Sequence, residues 1–456
     1  MGHIFIVTSG LTGILNASFE MARRLRLAGH QVTLGAPRPV GDRVAAEGLD
    51  FEEFPFINTD PAPPLTASAG KVSRMWQRFI HQKQRRATAL ESYRPHAFKA
   101  AVNRLNPDLI LIDIELHEYI FAAYGMDRYF VLLSQWYSTW RRPGLPYLLT
   151  DVIPGKGKHG TPAAIEAHWG TVKQQRKKMF RKMAARSFGT DRRSVLLKLA
   201  AENEFPSEYI RKNWWPGVFS YADLPAISMT PFEMEFPHEP RPALQYVGPM
   251  VHEGRAEQDA VSQRGTDIGA LMTTVKASAA KLILCTASTM KAGDTAFLRR
   301  LFDAVAERSD WQLFVGLGGK TNPAELGDIP ANVHTFTYVP QLRVLRAADL
   351  SINHAGIHTI HECIHFGVPM LIYSGKQSDQ PGCAARVHHH GLGLMADKDT
   401  DDVVAIRANI ERVLTEPAFA EVVRKFQAIS RSYSANEVLE QHVVGLLDGE
   451  EEPGDI

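Results

Sequence analysis

A chain of 456 residues exceeds one ordinary domain, so at least two are expected. With 45% hydrophobic and 22% charged residues it has the composition of a soluble globular protein, which excludes a disordered or fibrous chain. A formal net charge of +1 supplies no bulk attraction for nucleic acid. The cysteines, Cys285, Cys363 and Cys383, are three in number and lack C-x-x-C spacing, so they read as reduced thiols and exclude a disulfide frame or zinc site. The opening MGHIFIVTSG lacks the basic and apolar regions of a signal peptide. No run approaches the roughly eighteen apolar residues of a spanning helix. The expectation is a cytoplasmic protein, at most peripheral to a membrane.

In chain order, His3 to Thr8 is a β-branched run, Ser9-Gly10-Leu11-Thr12-Gly13 a turn, and Asn16 to Ala28 a helix with an apolar face on Phe19, Met21, Ala22 and Leu25. Gly29-His30 stops it, and Gln31 to Gly35 is the next strand, completing a βαβ unit. A ligand belongs at the carboxyl end of its first strand, near Ser9 to Asn16; alternatively Gly10 and Gly13 only permit the turn. Asn58 to Gly70 reads as a loop beside a cleft. Leu109 to Ile112 has the continuous apolar character of a parallel strand buried on both faces. Asp113 ends it, where doubly wound folds place catalytic carboxylates and where a helix-capping Asp also sits.

Tyr129 to Leu133 is another strand, followed by Trp136, Tyr137, Trp140 and Tyr147; with Trp214, Trp215, Phe219 and Tyr221 these suit an apolar planar ligand or core packing. Lys173 to Arg193 carries nine Lys and Arg against one Asp, with Met179, Phe180 and Met183 interleaved. Such a helix can lie on an anionic membrane or be a solvated face. Pro231 to Pro249, with five prolines, reads as an interdomain segment, and His252 to Gly265 as polar and mobile.

A second alternation begins at Lys281. Strands are expected at Leu282 to Cys285, Gln312 to Gly316, Val333 to Thr337, Asp349 to Asn353 and Met370 to Tyr373, with helices such as Thr295 to Glu307 and Asp402 to Leu414 between them. Alternating strand and helix predicts a parallel sheet with right-handed crossovers. The divisions are an N-terminal domain over 1–245, a linker over 246–280, a C-terminal domain over 281–430, a helix over 431–448 and a disordered acidic tail over 449–456. Within the second half, the strand Asp349 to Asn353 opens onto His354-Ala355-Gly356 and a helix, an arrangement whose unpaired N–H groups and dipole bind anions.

The stretch from Tyr338 to Gly393 resembles the donor-binding motif of GT-B glycosyltransferases of the family-1 type. Its elements stand here as His354-Ala355-Gly356-Ile357-His358-Thr359, Glu362, Gly367-Val368-Pro369 and Asp379-Gln380, preceded by Tyr338-Val339-Pro340-Gln341. Cys285-Thr286-Ala287-Ser288-Thr289 occupies the place of the family's Gly-Ser loop. The resemblance implies an α/β GT-B fold, two Rossmann-like doubly wound domains facing across a cleft, with the last helix packing back on the first domain. It implies that His354 and Thr359 bind a diphosphate, helped by amides around Gly356, His358 and Thr359 and by the loop of Ser288 and Thr289. Glu362 would take the ribose hydroxyls, Asp379 and Gln380 the sugar hydroxyls, and Val339 with Gln341 would flank the base. No metal and no cofactor beyond the UDP- or dTDP-sugar co-substrate is implied.

The N-terminal half departs from that pattern. The family's Gly-His-x-Asn-Pro, whose His is the general base, aligns with Gly13-Ile14-Leu15-Asn16-Ala17, placing Ile14 at the base position on an acceptor-side loop with Thr12, Gly13 and Asn16. Asp113 matches the carboxylate that orients the missing His. Either Asp113 (or Glu115 or His117) is itself the base, or the acceptor is already ionised, or catalysis is lost. The function implied is an inverting hexosyltransferase acting on a hydrophobic, lipid-like or natural-product aglycone; separately, the basic run Lys173–Arg193 is a candidate peripheral membrane contact or a solvated face, and no nucleic-acid partner is expected. The alternative is a catalytically silent homologue that binds or activates another transferase. A dehydrogenase is disfavoured, because no GxGxxG follows either first strand.

Overall fold

The computed structural model describes residues 1–55, 71–212, 217–257, 259–286, 294–319 and 321–449. The Asn58 to Gly70 loop, Trp214, Trp215, Ser288, Thr289 and residues 450–456 of the acidic tail lie outside them.

Two parallel sheets dominate. The first contains β1 (His3–Val7), β2 (Gln31–Ala36), β3 (Asp50–Glu53), β4 (Leu109–Asp113) and β5 (Phe130–Ser134). After a small antiparallel pair, β6 (Ile210–Lys212) and β7 (Phe219–Tyr221), it is completed by β8 (Ala226–Ser228) and β9 (Leu244–Tyr246), giving the order β3-β2-β1-β4-β5-β8-β9. The second sheet contains β10 (Lys281–Thr286), β11 (Trp311–Gly316), β12 (Val333–Phe336), β13 (Leu350–Asn353), β14 (Met370–Tyr373) and β15 (Gly393–Ala396), in the order β12-β11-β10-β13-β14-β15. β4 and β5 are buried along their whole length because helices cover both faces, which is why they read as unbroken apolar runs. In each sheet the order reverses beside the first strand, at β1/β4 and at β10/β13. Ligand sites of open α/β sheets form at the carboxyl side of such switch points.

Three expectations change. The helix after β1 spans Thr12–Leu27, so Thr12, Gly13 and Ile14 form its first turn and do not precede it. The Pro-rich segment 231–249 is no free linker: Leu244–Tyr246 pairs with β8 as the edge strand. Three-residue strands flanked by proline leave no period-2 signal, and an edge position tolerates the missing donors. The Ile268–Ser278 helix, inside the expected linker, buries Ile268 and Val275 among Leu282, Leu284 and Phe336 of the second domain.

The domains are held together at several points. The Val438–Asp448 helix buries Leu439, Val443 and Leu446 against Ile4, Ile6 and Val32 of the first sheet, and Glu440 pairs with buried Arg24 at 2.6 Å. Arg386, on the Gln380–His390 helix, pairs with Glu235 at 2.6 Å, both 1% exposed. Glu235 also accepts from the Ser138 amide, and Arg386 donates to the Gly382 carbonyl at 3.1 Å.

Candidate active site

The helix after β1 (Thr12–Leu27) meets the helix after β13 (Ile357–Phe366) across the two domains. Gly13 lies so close to the donor-side helix that a Cβ on it would stand 2.7 Å from the His358 ring. Absence of a side chain there allows the two domains to meet. His361, one turn on from His358, receives Tyr137 of the first domain, with the hydroxyl 3.2 Å from Nε2. Burial pushes both imidazoles down, to about 4 for His358 and about 3 for His361, so both are neutral at physiological pH.

In the second domain, Gly356 N-caps the Ile357–Phe366 helix. Ala355 before it adopts φ 66°, a left-handed conformation that costs a non-Gly residue about 1 kcal/mol or more, and its amide is fixed by Asn353 Oδ1 at 2.9 Å. His354 is pushed below the ordinary histidine range, first by burial, with the Thr286 main chain beside it opposing the shift. Gln341 donates to Glu362 and, at 3.4 Å, to Thr359, tying those two positions together. Val339 packs against Gly316, where a Cβ would come within 2.9 Å of its methyl. Asp379 is raised to about 6 by burial and accepts from the Cys383 thiol at 3.3 Å.

Across the cleft, Asp113 is 2% exposed and burial raises it to about 6. Its Oδ1 accepts the Glu115 amide at 3.0 Å. Ser9 is adjacent and favours the ionised form, yet neither its Oγ nor Asp113 Oδ2 makes a hydrogen bond of normal geometry. Asn16 accepts from Arg43 at 2.7 Å. His117 turns away into the first domain, where its Nδ1 meets the Tyr221 hydroxyl at 2.7 Å and its ring packs on Phe219, so it has no access to the cleft. The aromatic segment is likewise mostly core: Tyr137 and Tyr147 are buried, and Tyr147 packs on Trp169.

Buried polar atoms without a partner are costly and mark functional positions. Among the described residues, Ser9 Oγ, Asp113 Oδ2, Thr286 Oγ1, His354 Nδ1 and Gln380 Oε1 are such atoms, at the ends of or following β1, β4, β10, β13 and β14. These strand-end positions are picked out independently of any motif. Sequence reasoning missed Arg255, whose Nη1 lies 2.5 Å from Glu362 Oε1. Nothing local distinguishes it, because it stands in a polar stretch 107 positions away from its partner.

Two facing Rossmann-like domains with the site between them define the GT-B class of transferases. A family profile described as "Erythromycin biosynthesis protein CIII-like, C-terminal domain" matches residues 299–443, which include the whole stretch around His354. The oleandomycin glycosyltransferase of Streptomyces antibioticus is 26% identical over 93% of this chain and 86% of its own length. The solved glycotransferase of kitacinnamycin superposes over 98% of this chain and 99% of its own, with TM-score 0.67 and 21% identity. Glycosyltransferase VinC, solved in complex with dTDP, covers 96% of this chain and 100% of its own, with TM-score 0.59 and 17% identity. The chain thus has the GT-B fold and is similar over nearly its whole length to natural-product glycosyltransferases, with the profile match confined to its second domain.

Proposed function

We propose that the protein moves a sugar from UDP or dTDP to a hydrophobic small-molecule acceptor, by single displacement with inversion and with Asp113 as the base. The observation that carries this reading is the close approach of Gly13, after β1, to His358 of the donor motif, with Asp113 buried and raised to about 6 at the end of the neighbouring strand β4. A carboxylate of that basicity is mostly ionised at neutral pH and is a better proton acceptor than an ordinary Asp. In the reaction, the acceptor O–H proton passes to Asp113, beside which Ser9 stands. The acceptor oxygen forms its bond to the anomeric carbon as the bond from that carbon to the diphosphate oxygen breaks. Charge developing on the leaving diphosphate is met by helix N-terminal amides around Gly356 and by His354. Asp379 and Gln380 hold the sugar hydroxyls. Relatives bearing on the partners are one named for oleandomycin and one solved with dTDP. The test is turnover with UDP- and dTDP-sugars against a panel of hydroxy and carboxy aglycones. Nucleotide binding with no glycoside and no hydrolysis would instead favour a silent, partner-activating homologue.

We also propose that it works against an anionic membrane surface. On the Pro162–Ser187 helix Lys177, Lys178, Arg181, Lys182 and Arg186 are exposed, as are Met179 and Met183. Phe180 does not belong to that face: it is buried beneath Arg176 and Arg193. Phe79 lies 6.0 Å from Phe188, which brings the Lys71–Ile80 helix alongside, with Trp76, Phe79 and Ile80 exposed. Residues 71–93 add six Lys and Arg against one Glu. Cations flanking exposed aromatics suit a headgroup layer. Among the described residues no helix is long and apolar enough to cross a membrane.

A further inference from the structure

Residues 252–257 form a strap between the domains, and their side chains reach both. His252 Nε2 meets Glu47 at 2.8 Å and its Nδ1 lies 3.4 Å from Glu20, both on the first domain. Glu253 pairs with His365 at 2.8 Å and Arg346 at 3.1 Å on the second. Glu257 accepts the amides of Leu342 at 2.9 Å and Arg343 at 3.0 Å, which caps the short helix bearing Gln341. Between these contacts stands Arg255, 15% exposed, with Nη1 at 2.5 Å from Glu362 Oε1 and Nη2 at 3.3 Å from Glu257. The second oxygen of Glu362 is held by Gln341. Protein groups therefore occupy both oxygens of the carboxylate to which ribose hydroxyls are assigned.

A ribose that bonds Glu362 must compete with this guanidinium. Once displaced, Arg255 would keep only Glu257, whose two oxygens already serve a helix terminus. A mostly buried cation left without an anion is costly, by several kcal/mol in general. The same ligand brings its own anion. Burial, and after it the Arg255 charge, pushes both His358 and Arg43 down, which sets the guanidinium near both, and His358 stands in the first turn of the helix that meets Gly13. The cations and acids facing the guanidinium are thus Arg43, Glu257, Glu362 and the neutral His358.

We propose that Arg255 is a diphosphate ligand that exchanges partners: it gives up Glu362 to the ribose and takes the diphosphate of the same nucleotide. This rests on the nucleotide-sugar reading above. A guanidinium matches paired phosphate oxygens with two parallel N–H donors, which a lysine cannot do. Because the strap is anchored to both domains, the exchange also couples donor occupancy to the domain interface.

The experiment compares nucleoside diphosphates with nucleosides that lack phosphate. Affinities of UDP, dTDP, uridine and thymidine are measured by NMR titration for the wild type, R255A, R255K and R255Q, each checked for an unchanged melting transition. R255Q keeps a donor for Glu362 while removing the charge, so it serves if R255A does not fold. Loss of a charge-assisted contact predicts that R255A and R255Q bind the diphosphates about 10- to 100-fold more weakly. Uridine and thymidine should bind as well as before or more tightly, since Glu362 is released, and R255K should recover part of the loss. A diphosphate-to-nucleoside affinity ratio within twofold of wild type in R255A and R255Q overturns the proposal while leaving the donor site intact. Failure of the wild type to bind UDP or dTDP at all overturns the nucleotide reading together with it.

Discussion

Replacing Asp113 with Asn separates the chemistry of this residue from its place in the fold. Asn keeps the oxygen that accepts the Glu115 amide at 3.0 Å and removes only the charge and the ability to take a proton. If Asp113 is the base, turnover falls by the value of general-base catalysis, about 10²–10⁴-fold. That corresponds to about 3–5 kcal/mol of transition-state stabilisation. Burial raises the carboxyl from 3.8 to about 6, so wild-type kcat/KM should decline below about pH 6 with a limb that D113N lacks. Stability should move the opposite way. A folded pKa above the unfolded value stabilises the protein below about pH 4, and that contribution is lost as pH rises through about 6. At pH 7.5 the ionised Asp113 is therefore a burden of at most about 3 kcal/mol, and the neutral Asn is as stable or more so. The assay is kcat and KM at saturating donor from pH 5 to 9, with urea unfolding at pH 7.5 and S9A as a companion. Unchanged turnover and an unchanged acid limb in D113N would remove Asp113 from the base role, leaving an acceptor that arrives already ionised.

His354→Ala should weaken UDP or dTDP binding and lower turnover together, with about 10²-fold lost from kcat for one preorganised donor; calorimetry and steady-state rates showing normal values would sink the donor assignment. Arg386→Met should destabilise the protein by about 3–5 kcal/mol, because it strands Glu235 in the interdomain core, and pairing it with Glu235→Leu should restore part of that. A single-mutant loss under about 1 kcal/mol in urea unfolding would reject this account. Vesicles containing phosphatidylglycerol should sediment the wild type and phosphatidylcholine vesicles should not. The K177E/K178E/K182E variant should lose the association, at about 1 kcal/mol for each cation near the surface, and equal sedimentation of both proteins would dismiss the membrane contact.

The second domain was legible because its information is local. A strand, an αL residue, a helix N-terminus and the next strand fall within one run from Leu350 to Tyr373, and the hydrophobic pattern marks each. The first domain hides more. β8 and β9 are too short and proline-flanked to show a period, and only the pairing of β8 with β5 and of β9 with β8 makes them strands. Thr12 to Ile14 look like a glycine-rich turn, yet Gly13 is helical and lacks a side chain for the sake of His358. Phe180 and Met179 are adjacent in one basic run, but only the tertiary packing tells which of them faces solvent.

The same contrast governs the site. Every donor-side residue proposed from the sequence and described in the structure stands on or beside one of three consecutive strand ends or the short helix at Gln341. On the first-domain side, Ser9, Gly13, Asp113 and Tyr137 come from three different strand–loop connections, and a motif in any one of them carries little information. At Ile14 the motif left three explanations open, another base, an ionised acceptor or lost catalysis, because a motif reads positions one at a time. The structure places a buried carboxylate, Asp113, at the end of the neighbouring strand β4 and an imidazole from the opposite domain against Gly13. A missing histidine in this fold therefore says which side chain is absent, and the groups left facing the cleft decide whether a proton can still be taken.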